Sequence, residues 1–310
     1  MSEKLFVVTG ASGHIGRRLT GLLLEGHRKV RVVARREEQL RAFAEGGAEV
    51  FPGDLLDASF TRRAFEGAHA AFTMIPPIMA DHDLRGTQNR VSEAIAFGLG
   101  EARVPFLVNL SSWGAEVPYG TGPIAGLHDH EERLDRLDAT HIVHLRAASF
   151  MENHLHAIGA ILHAGIYPGT LHADLSIPMI ATRDIADEAA RLLAGLEFEG
   201  KATQALLGPR DYTMQEAAHI LGAAIGKPQL QYAQVSDEQA REAMTAQGMP
   251  AHMADMMLEM YRAFNSGKIR AEEPRLRANT TPTTLEEWAP HFADAYRHHV
   301  HPHHPAAPAP

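Results

Sequence analysis

The chain has 310 residues, of which 45% are hydrophobic and 22% charged, a composition typical of a globular protein with a sizeable core. Its 38 acidic and 29 basic residues give a formal net charge of -9, which disfavours binding to a nucleic-acid backbone. The absence of cysteine excludes disulfides, thiolate catalysis and thiolate-bound metal sites.

Apolar segments alternate with helical segments along the first half of the chain. Strands are predicted at 5–8, 30–34, 50–51, 70–75, 106–110 and 142–145. The first of these is a continuous apolar run that ends in glycines, which is typical of a strand buried on both faces. Because alternating strands and helices form right-handed crossovers, we predict an α/β fold with a Rossmann-like, doubly wound parallel sheet.

The second half of the chain is predicted to form a smaller, mostly helical region. Three helix starts have the spacing of a capping box, and they begin at Thr213, Ser236 and Thr284. We place the first domain at 1–150, with 171–210 contributing to it, and a smaller lobe at 151–170 and 211–297. Residues 298–310 are rich in histidine and proline and are expected to be a disordered tail.

A glycine-rich turn at 9–16 follows the first strand and precedes an amphipathic helix, with the sequence TGASGHIG. Gly10 permits a tight turn, Gly13 lets the backbone approach a pyrophosphate, and Gly16 lets the helix pack against the strand. The helix N-terminus offers unpaired N–H groups to the anion. The turn therefore predicts a dinucleotide site, although a glycine turn without a ligand is the alternative.

The end of the second strand indicates which nucleotide binds. A carboxylate that would hold the ribose of NAD is expected about 20 residues past the glycines, and the sequence there has Arg35 and Arg36. A guanidinium can bind a 2′-phosphate through two hydrogen bonds, so NADP is favoured unless both arginines are simply solvated. Asp54 stands where it could accept a hydrogen bond from adenine, or could cap a helix.

With these motifs in place, the chain resembles the NmrA-like branch of the atypical short-chain dehydrogenases/reductases. The resemblance covers about residues 4–297 and rests on a combination of motifs: TGASGHIG at 9–16, PGDLLD at 52–57, FTMIPP at 72–77, VNLSSWGA at 108–115, FMENH at 150–154 and ATRDIADEAARLL at 181–193. It implies that the domain at 1–150 binds NADP(H) and that the smaller lobe, at 151–170 and 211–297, is a substrate lobe. Members of this branch include quinone, dye and phenolic-ether reductases, and others are redox sensors that reduce nothing.

The resemblance also implies site residues. For the cofactor it implies the phosphate turn, the 2′-phosphate position, the adenine contact, and positions beside the ribose and nicotinamide: Thr9, Gly10, Ser12, Gly13, His14, Ile15 and Gly16; Arg35; Asp54 and Leu55; Thr73, Met74, Ile75 and Ser111. For the substrate it implies Asn153, and we name Trp113, Phe150 and Met257 as further substrate candidates.

The proton donor departs from the usual pattern of short-chain reductases, which place Tyr and Lys four residues apart. Here Tyr119 is followed four residues later by Pro123. In this branch a His-x-Glu helix start often lies nearby, and it matches His130, which we name as a candidate general acid, with Ser112 and Tyr119 as weaker candidates. A surface or capping role for His130 is the alternative.

Histidine pairs and a methionine stripe are two further patterns in the sequence. The close pairs His128/His130 and His154/His156 suggest a metal, but neither pair lies on one helical face, and we expect no metal site. A methionine stripe that includes Met257 suits core packing, a pocket lid, or both.

These observations predict an NADPH-dependent reductase that transfers hydride to a small quinone-like or conjugated compound. The alternative is a non-catalytic NADP-binding redox sensor that acts through a protein partner, and epimerase or lyase activity also stays open. We expect a small-molecule substrate, a monomer or homodimer, and no nucleic acid or membrane as partner. No apolar run approaches the roughly 18 residues of a membrane span, so a cytoplasmic protein is expected.

Overall fold

The computed structural model describes residues 4–76, 82–270 and 273–300. The chain divides into two compact units, the first comprising Met1–Ala147 with Thr182–Leu206, and the second Ala148–Ala181 with Leu207–Pro310. The assignment of the second unit as a substrate lobe stays a prediction. Among the described residues, no helix combines the length and the apolar character needed to cross a lipid bilayer.

The first unit alternates strands with helices. Its elements are β1 (Leu5–Thr9), α1 (His14–Glu25), β2 (Lys29–Ala34), α2 (Arg41–Glu45), β3 (Glu49–Pro52), α3 (Ala58–Phe65), β4 (Ala68–Met74), α4 (Leu84–Ala102), β5 (Phe106–Ser112), α5 (Ala125–Leu134), β6 (His141–Ala147), and, beyond the start of the second unit, α7 (Thr182–Gly195) and β10 (Lys201–Leu206). The predicted strands are all present.

The second unit contains shorter elements. They are β7 (Ser149–Phe150), α6 (Ile158–Ala164), β8 (Tyr167–Gly169), β9 (Ser176–Ile180), β11 (Asp211–Thr213), α8 (Met214–Ala224), β12 (Tyr232–Gln234), α9 (Asp237–Ala246), α10 (Ala251–Asn265) and α11 (Leu285–Val300). The small strands pair in the orders β11-β9-β7 and β12-β8. This unit therefore carries β-structure beside the predicted helices.

The main sheet determines where a ligand can bind. Its strands are parallel and follow the order β10-β6-β5-β4-β1-β2-β3. Strand order reverses between β1 and β4, and ligands of doubly wound sheets bind outside the carboxyl ends of the strands at such a switch point. The predicted α/β class with a Rossmann-like sheet is confirmed.

The sheet is the core of the first unit because its central strands are apolar on both faces. Val7 and Val8 in β1 and Phe72 in β4 have no exposed surface. Helices α3 and α4 cover one side at close range, since a Cβ added to Gly98 would lie 2.7 Å from the backbone carbon of Thr61. The Thr61 hydroxyl also donates to the Ala94 carbonyl at 2.6 Å, which joins the two helices.

The predicted helix starts of the second unit are confirmed. Capping boxes link Thr213 with Glu216 and Ser236 with Gln239. At the start of α11 the Thr284 N–H donates to the Glu287 carboxylate, and the Glu287 backbone N–H donates to the Thr284 hydroxyl. Helix α11 continues to Val300, so the prediction that the tail starts at 298 is wrong. The rest of the predicted tail, 301–310, lies outside the described residues.

Candidate functional site

The glycine-rich turn lies between β1 and α1, at the switch point. Gly13 is the N-cap of α1, and its N–H donates to the Gly10 carbonyl at 3.0 Å. The Ala11 N–H donates to the Val33 carbonyl at 3.3 Å, which ties the turn to β2. No side chain caps α1, and its first turn has no acidic residue. The first N–H groups of this helix are therefore left for an anion.

Two of the glycines are required by geometry. Gly10 has a φ of +65°, a conformation that side chains rarely adopt. A Cβ on Gly16 would lie 2.3 Å from the Gly10 carbonyl oxygen and 2.8 Å from the Ala11 Cα. Gly13 is different, because a Cβ there would meet only the Gly10 carbonyl oxygen, at 3.5 Å. Its missing side chain leaves an open, exposed approach to the helix N-terminus.

The other residues predicted from this turn differ in accessibility. Ser12 is half-buried, His14 is exposed, and Ile15 packs into the core. The Thr9 side chain is buried and its hydroxyl donates to the Phe72 carbonyl at 3.2 Å. Of these side chains, Ser12 and His14 have surface that a phosphate can reach.

The end of β4 lies against the glycine turn. The Met74 Sδ would be only 2.9 Å from a Cβ on Gly10, so this half-buried side chain lies beside the turn. Thr73 and Ile75 are buried, and the Thr73 hydroxyl donates to the Asn109 side-chain oxygen at 3.2 Å. Thr9 and Thr73 thus support the turn from inside, and Met74 is the residue of this segment with surface to offer a ligand.

Arg35 follows β2 and is exposed, with no hydrogen bond or ion pair to any residue in the described ranges. Its neighbour Arg36 has its Nε 3.7 Å from a Glu38 carboxylate oxygen. Asp54 is also exposed and accepts the Leu56 N–H at 3.0 Å, while Leu55 beside it is buried. Asp57 accepts two N–H groups at the start of α3. The alternative that Asp54 caps this helix is therefore wrong.

Ser111 lies near the carboxyl end of β5. Its side chain is buried, and its Oγ has no hydrogen-bond partner among the described residues. The adjacent Ser112 hydroxyl donates to the Trp113 carbonyl at 3.0 Å. Trp113 is buried, and its N–H donates to the Ala147 carbonyl at 2.9 Å. Ser111 is thus the serine of this pair with unused hydrogen-bonding capacity.

The structure corrects the expectation that His130 is a general acid. His130 is fully buried on α5, and its Nδ1 lies 2.7 Å from the Ser92 hydroxyl of α4. Burial, assisted by the nearby charges of His144 and Arg133, lowers the pKa of His130 to about 3. A histidine that stays neutral near pH 7 has no proton to give as an acid. The surface or capping role considered for His130 is equally wrong, because the ring is enclosed.

The remaining predicted residues lie apart along the chain. Tyr119 is 68% exposed in the loop before α5. Phe150 in β7, Asn153 in the following 3₁₀ turn and Met257 in α10 belong to the second unit. Phe150 and Met257 are half-buried and Asn153 is exposed, so each has surface. Their roles toward a substrate stay predictions.

A buried polar row was not anticipated from the sequence. It crosses three neighbouring strands through Thr73, Asn109 and His144, which are paired in register. The Asn109 Nδ2 lies 3.0 Å from the His144 Nδ1, and the His144 Nε2 lies 3.1 Å from the Asp135 carboxylate. This hydrogen bond lowers the pKa of the Asp135 carboxyl. The sequence signal for this row was one polar residue inside each of two apolar strands, Asn109 in β5 and His144 in β6.

The residues of the turn fit a dinucleotide. A phosphate group needs N–H donors and space, and the uncapped start of α1 with the open side of Gly13 supplies both. The exposed Arg35 guanidinium, which has no hydrogen bond or ion pair within the described ranges, is a further group that an anionic ligand can reach. Among the described residues no three His, Asp or Glu side chains converge on a point where a metal would bind.

Comparison with known families agrees with this geometry. A family model described as NAD(P)H-binding matches residues 10–152. The (4-alkanoyl-5-oxo-2,5-dihydrofuran-3-yl)methyl phosphate reductase of Streptomyces griseus is 28% identical over 294 residues, covering 94% of this chain and 99% of that protein. The NAD(P)H azoreductase of Xenophilus azovorans is 27% identical over 259 residues, covering 83% of this chain and 86% of that protein.

Solved structures share the fold. The NADPH-dependent quinone oxidoreductase of Escherichia coli, complexed with NADPH, superposes with a TM-score of 0.80 at 23% identity, over 93% of this chain and 99% of that one. A mutant NmrA superposes with a TM-score of 0.69 at 15% identity, over 94% and 95% of the two chains. Residues 10–152 therefore match an NAD(P)H-binding domain, and the chain shares its fold with NmrA and with the quinone oxidoreductase.

Proposed function

We propose that this protein is an NADPH-dependent reductase of small quinone-like or conjugated organic compounds. The observation that carries the proposal is the turn from β1 to α1, where an uncapped helix start and the open side of Gly13 form a phosphate site. The oxidoreductase class agrees with the relatives, which are named as reductases.

The residues proposed to hold NADPH surround the turn. The backbone N–H groups of His14 and Ile15 are proposed to bind the pyrophosphate, and Arg35 the 2′-phosphate, with Asp54 as an acceptor for the adenine amino group. Ser111 lies near the carboxyl end of β5, and we expect it to lie beside the nicotinamide half. NADPH supplies the hydride when it is bound. The preference for NADPH over NADH rests on the unpaired Arg35, because no carboxylate ends β2.

The substrate class follows from what the site lacks. Tyr119 is exposed and has no lysine four residues later, and His130 is held neutral, so neither is the strong acid that carbonyl reduction needs. A quinone or another conjugated acceptor takes a hydride without such an acid, and water supplies the proton afterwards. Relatives that carry the names of azo and phosphorylated furanone reductases agree with a conjugated acceptor.

Fluorescence titration with NADPH and NADH, followed by a quinone panel in the same cuvette, tests the proposal. We expect NADPH to bind at least about tenfold more tightly than NADH, as the loss of one charge-assisted hydrogen bond implies, and to be consumed when a quinone is added. NADPH that binds but persists across quinone, azo and triphenylmethane acceptors would favour the redox sensor instead. Absence of nucleotide binding would contradict both functions.

A further inference from the structure

Two adjacent arginines in the first turns of α1 differ in how their charge is compensated. Arg18 binds the Asp187 carboxylate of α7 through two hydrogen bonds, of 2.6 and 2.9 Å. Arg17 is exposed, and its side chain makes no hydrogen bond or ion pair with any residue in the described ranges. The positive charge of Arg18 is therefore neutralised within the fold, whereas that of Arg17 is left for solvent or for a ligand.

The position of Arg17 in the helix is electrostatically unfavourable without an anion. Its backbone N–H donates to the Gly13 carbonyl at 2.8 Å, which is the first hydrogen bond of α1. The N-terminal end of a helix carries partial positive charge, so a cation there is destabilising. The first turn of α1 has no acidic residue to offset it. Local rules of this kind are typically violated at functional sites, and a bound anion would remove the conflict.

An aromatic ring holds the Arg17 side chain without neutralising it. The Arg17 Cζ lies 5.8 Å from the centroid of the Phe43 ring in α2. Phe43 is only 8% exposed, so its ring is fixed by the core. A guanidinium that stacks on an aromatic face keeps the N–H donors of its edge available for a phosphate. Phe43 therefore restricts Arg17 to one place while its donors stay free.

The connections around β2 bring Arg17 and Arg35 to the same edge of the sheet. Helix α2 follows β2 through the segment 35–40, which begins with Arg35. The Ala11 N–H donates to the Val33 carbonyl, so the phosphate turn before α1 contacts the end of β2 directly. Because β1, β2 and β3 are neighbours in order, α1 and α2 cover the same face of the sheet. Two unpaired guanidinium groups thus lie at the carboxyl ends of β1 and β2, where the ribose of a dinucleotide binds.

Building on the proposed function, we propose that Arg17 is a second specificity-determining residue for NADPH. Its guanidinium binds the 2′-phosphate from the side of α1 while Arg35 binds it from the side of β2, and Phe43 is a positioning residue for Arg17. A phosphate monoester carries a charge of about −1.5 to −2 at pH 7, so two arginines match it better than one. NADH has a hydroxyl at this position and gains nothing from Arg17.

Titration with adenosine 2′,5′-bisphosphate and with 5′-AMP tests the contact without reference to activity, because the two probes differ only in the 2′-phosphate. We expect Arg17→Gln to weaken binding of the bisphosphate and of NADPH by about 5–30-fold, as loss of an exposed charge-assisted hydrogen bond implies. Binding of 5′-AMP and NADH is expected to change by less than about threefold. An equal loss for 5′-AMP and NADH would assign Arg17 to the pyrophosphate and overturn the proposal.

Arg18→Gln is the matched control, since it removes the same charge from the next position of the same helix. Its guanidinium is directed to Asp187, so we expect NADPH affinity to fall by no more than about threefold. Equal losses in Arg17→Gln and Arg18→Gln would show that only the general field of the helix matters, and would overturn the proposal.

A double-mutant cycle tests the positioning role of Phe43. We expect Phe43→Leu to weaken NADPH binding by about 2–5-fold in the unmutated background, because the stacking surface is lost, and to leave NADH binding unchanged. In the Arg17→Gln background the same substitution is expected to have no further effect on NADPH. A loss of equal size in both backgrounds would show that Phe43 acts only through the stability of α2, and would overturn its positioning role.

Phosphorus NMR of bound NADP⁺ gives an independent readout. A guanidinium beside a phosphate favours its dianion, so we expect the pKa of the bound 2′-phosphate to rise in Arg17→Gln and to stay unchanged in Arg18→Gln. An unchanged pKa in Arg17→Gln, together with unchanged NADPH affinity, would overturn this inference and leave the proposed function intact. If the unmutated protein binds neither NADPH nor the bisphosphate, the proposed function is contradicted and this inference with it.

Discussion

Arg35 and Arg36 are adjacent and equally charged, yet within the described ranges Arg36 has an acidic partner, Glu38, and Arg35 has none. We expect Arg35→Gln to weaken NADPH binding by about 10–100-fold, because a charge-assisted hydrogen bond contributes about 1.5–3 kcal/mol. NADH lacks the 2′-phosphate, so its affinity is expected to change little. Fluorescence titration of the variant with both nucleotides measures the effect.

Arg36→Gln is the matched control for this prediction. It removes the same charge from the neighbouring position, and we expect NADPH affinity to fall by no more than about threefold through the general field of the site. Equal losses in both variants, or an equal loss of NADH binding in Arg35→Gln, would show that Arg35 does not recognise the 2′-phosphate.

The glycines of the turn are predicted to differ in what their substitution damages. Gly16→Ala forces a Cβ to within 2.3 Å of a backbone oxygen, and overpacking of this kind costs about 1–3 kcal/mol or more of folding free energy. Gly13→Ala meets no such obstacle and is expected to cost less than about 1 kcal/mol as an N-cap change, while it obstructs the phosphate. Chemical denaturation and NADPH titration of both variants separate the two effects. A stable Gly16→Ala, or full NADPH affinity in Gly13→Ala, would contradict this division.

Helices α3 and α4 depend on a close approach that only glycine allows. Because a Cβ on Gly98 would contact the backbone of Thr61 at 2.7 Å, Gly98→Ala is expected to lower the free energy of unfolding by about 1–3 kcal/mol. The control is Gly21→Ala in α1, where no described atom beyond the adjacent helix backbone lies within 4 Å of the new Cβ. The higher helix propensity of alanine is expected to add up to about 1 kcal/mol there. Urea denaturation of the two variants is expected to give effects of opposite sign, and a neutral Gly98→Ala would contradict the packing described.

Elements with strong local signals could be predicted from the sequence, and those without them could not. The apolar strands β1 and β4 and the capping box at Thr213 follow from residue pattern alone. Strand β10 does not, because KATQAL is polar and mostly exposed, and it is a strand only through its pairing with β6. The short strands of the second unit are likewise defined by pairing between distant segments.

The same distinction applies to the candidate site. Gly10, Gly13 and Gly16 could be identified because backbone geometry imposes glycine at a fixed spacing. The environment of His130 could not, because its burial and its contact with Ser92, 38 positions away in the sequence, depend on how α4 packs against α5. The sequence pattern therefore predicted the phosphate turn correctly, whereas the prediction that His130 is a general acid was wrong.

The stability of the folded chain is expected to decrease in mild acid. Two fully buried histidines, His130 and His154, have their pKa lowered by burial from 6.5 to about 3 and about 4. As pH falls, the unfolded chain therefore binds protons before the folded one does. The free energy of unfolding is therefore expected to be highest above pH 6.5 and to fall as pH decreases toward 4. The expected loss is on the order of 3 kcal/mol for each histidine.

Urea denaturation at intervals between pH 7 and pH 4.5 measures this loss. His154→Phe removes one titrating group, along with its hydrogen bond to Tyr167 at 2.5 Å, so its baseline stability is expected to be lower and its dependence on pH weaker. A slope against pH equal to that of the unmutated protein would show that His154 is not held neutral in the folded state.

Anaerobic turnover with NADPH and a quinone is the most direct test of the proposed reductase activity. We expect one NADPH to be oxidised for each quinone reduced, with no added flavin or metal. We also expect Gly13→Ala to slow the reaction at limiting NADPH while the protein stays folded. Tight NADPH binding without consumption of either compound, or turnover that is unaffected in Gly13→Ala, would contradict it.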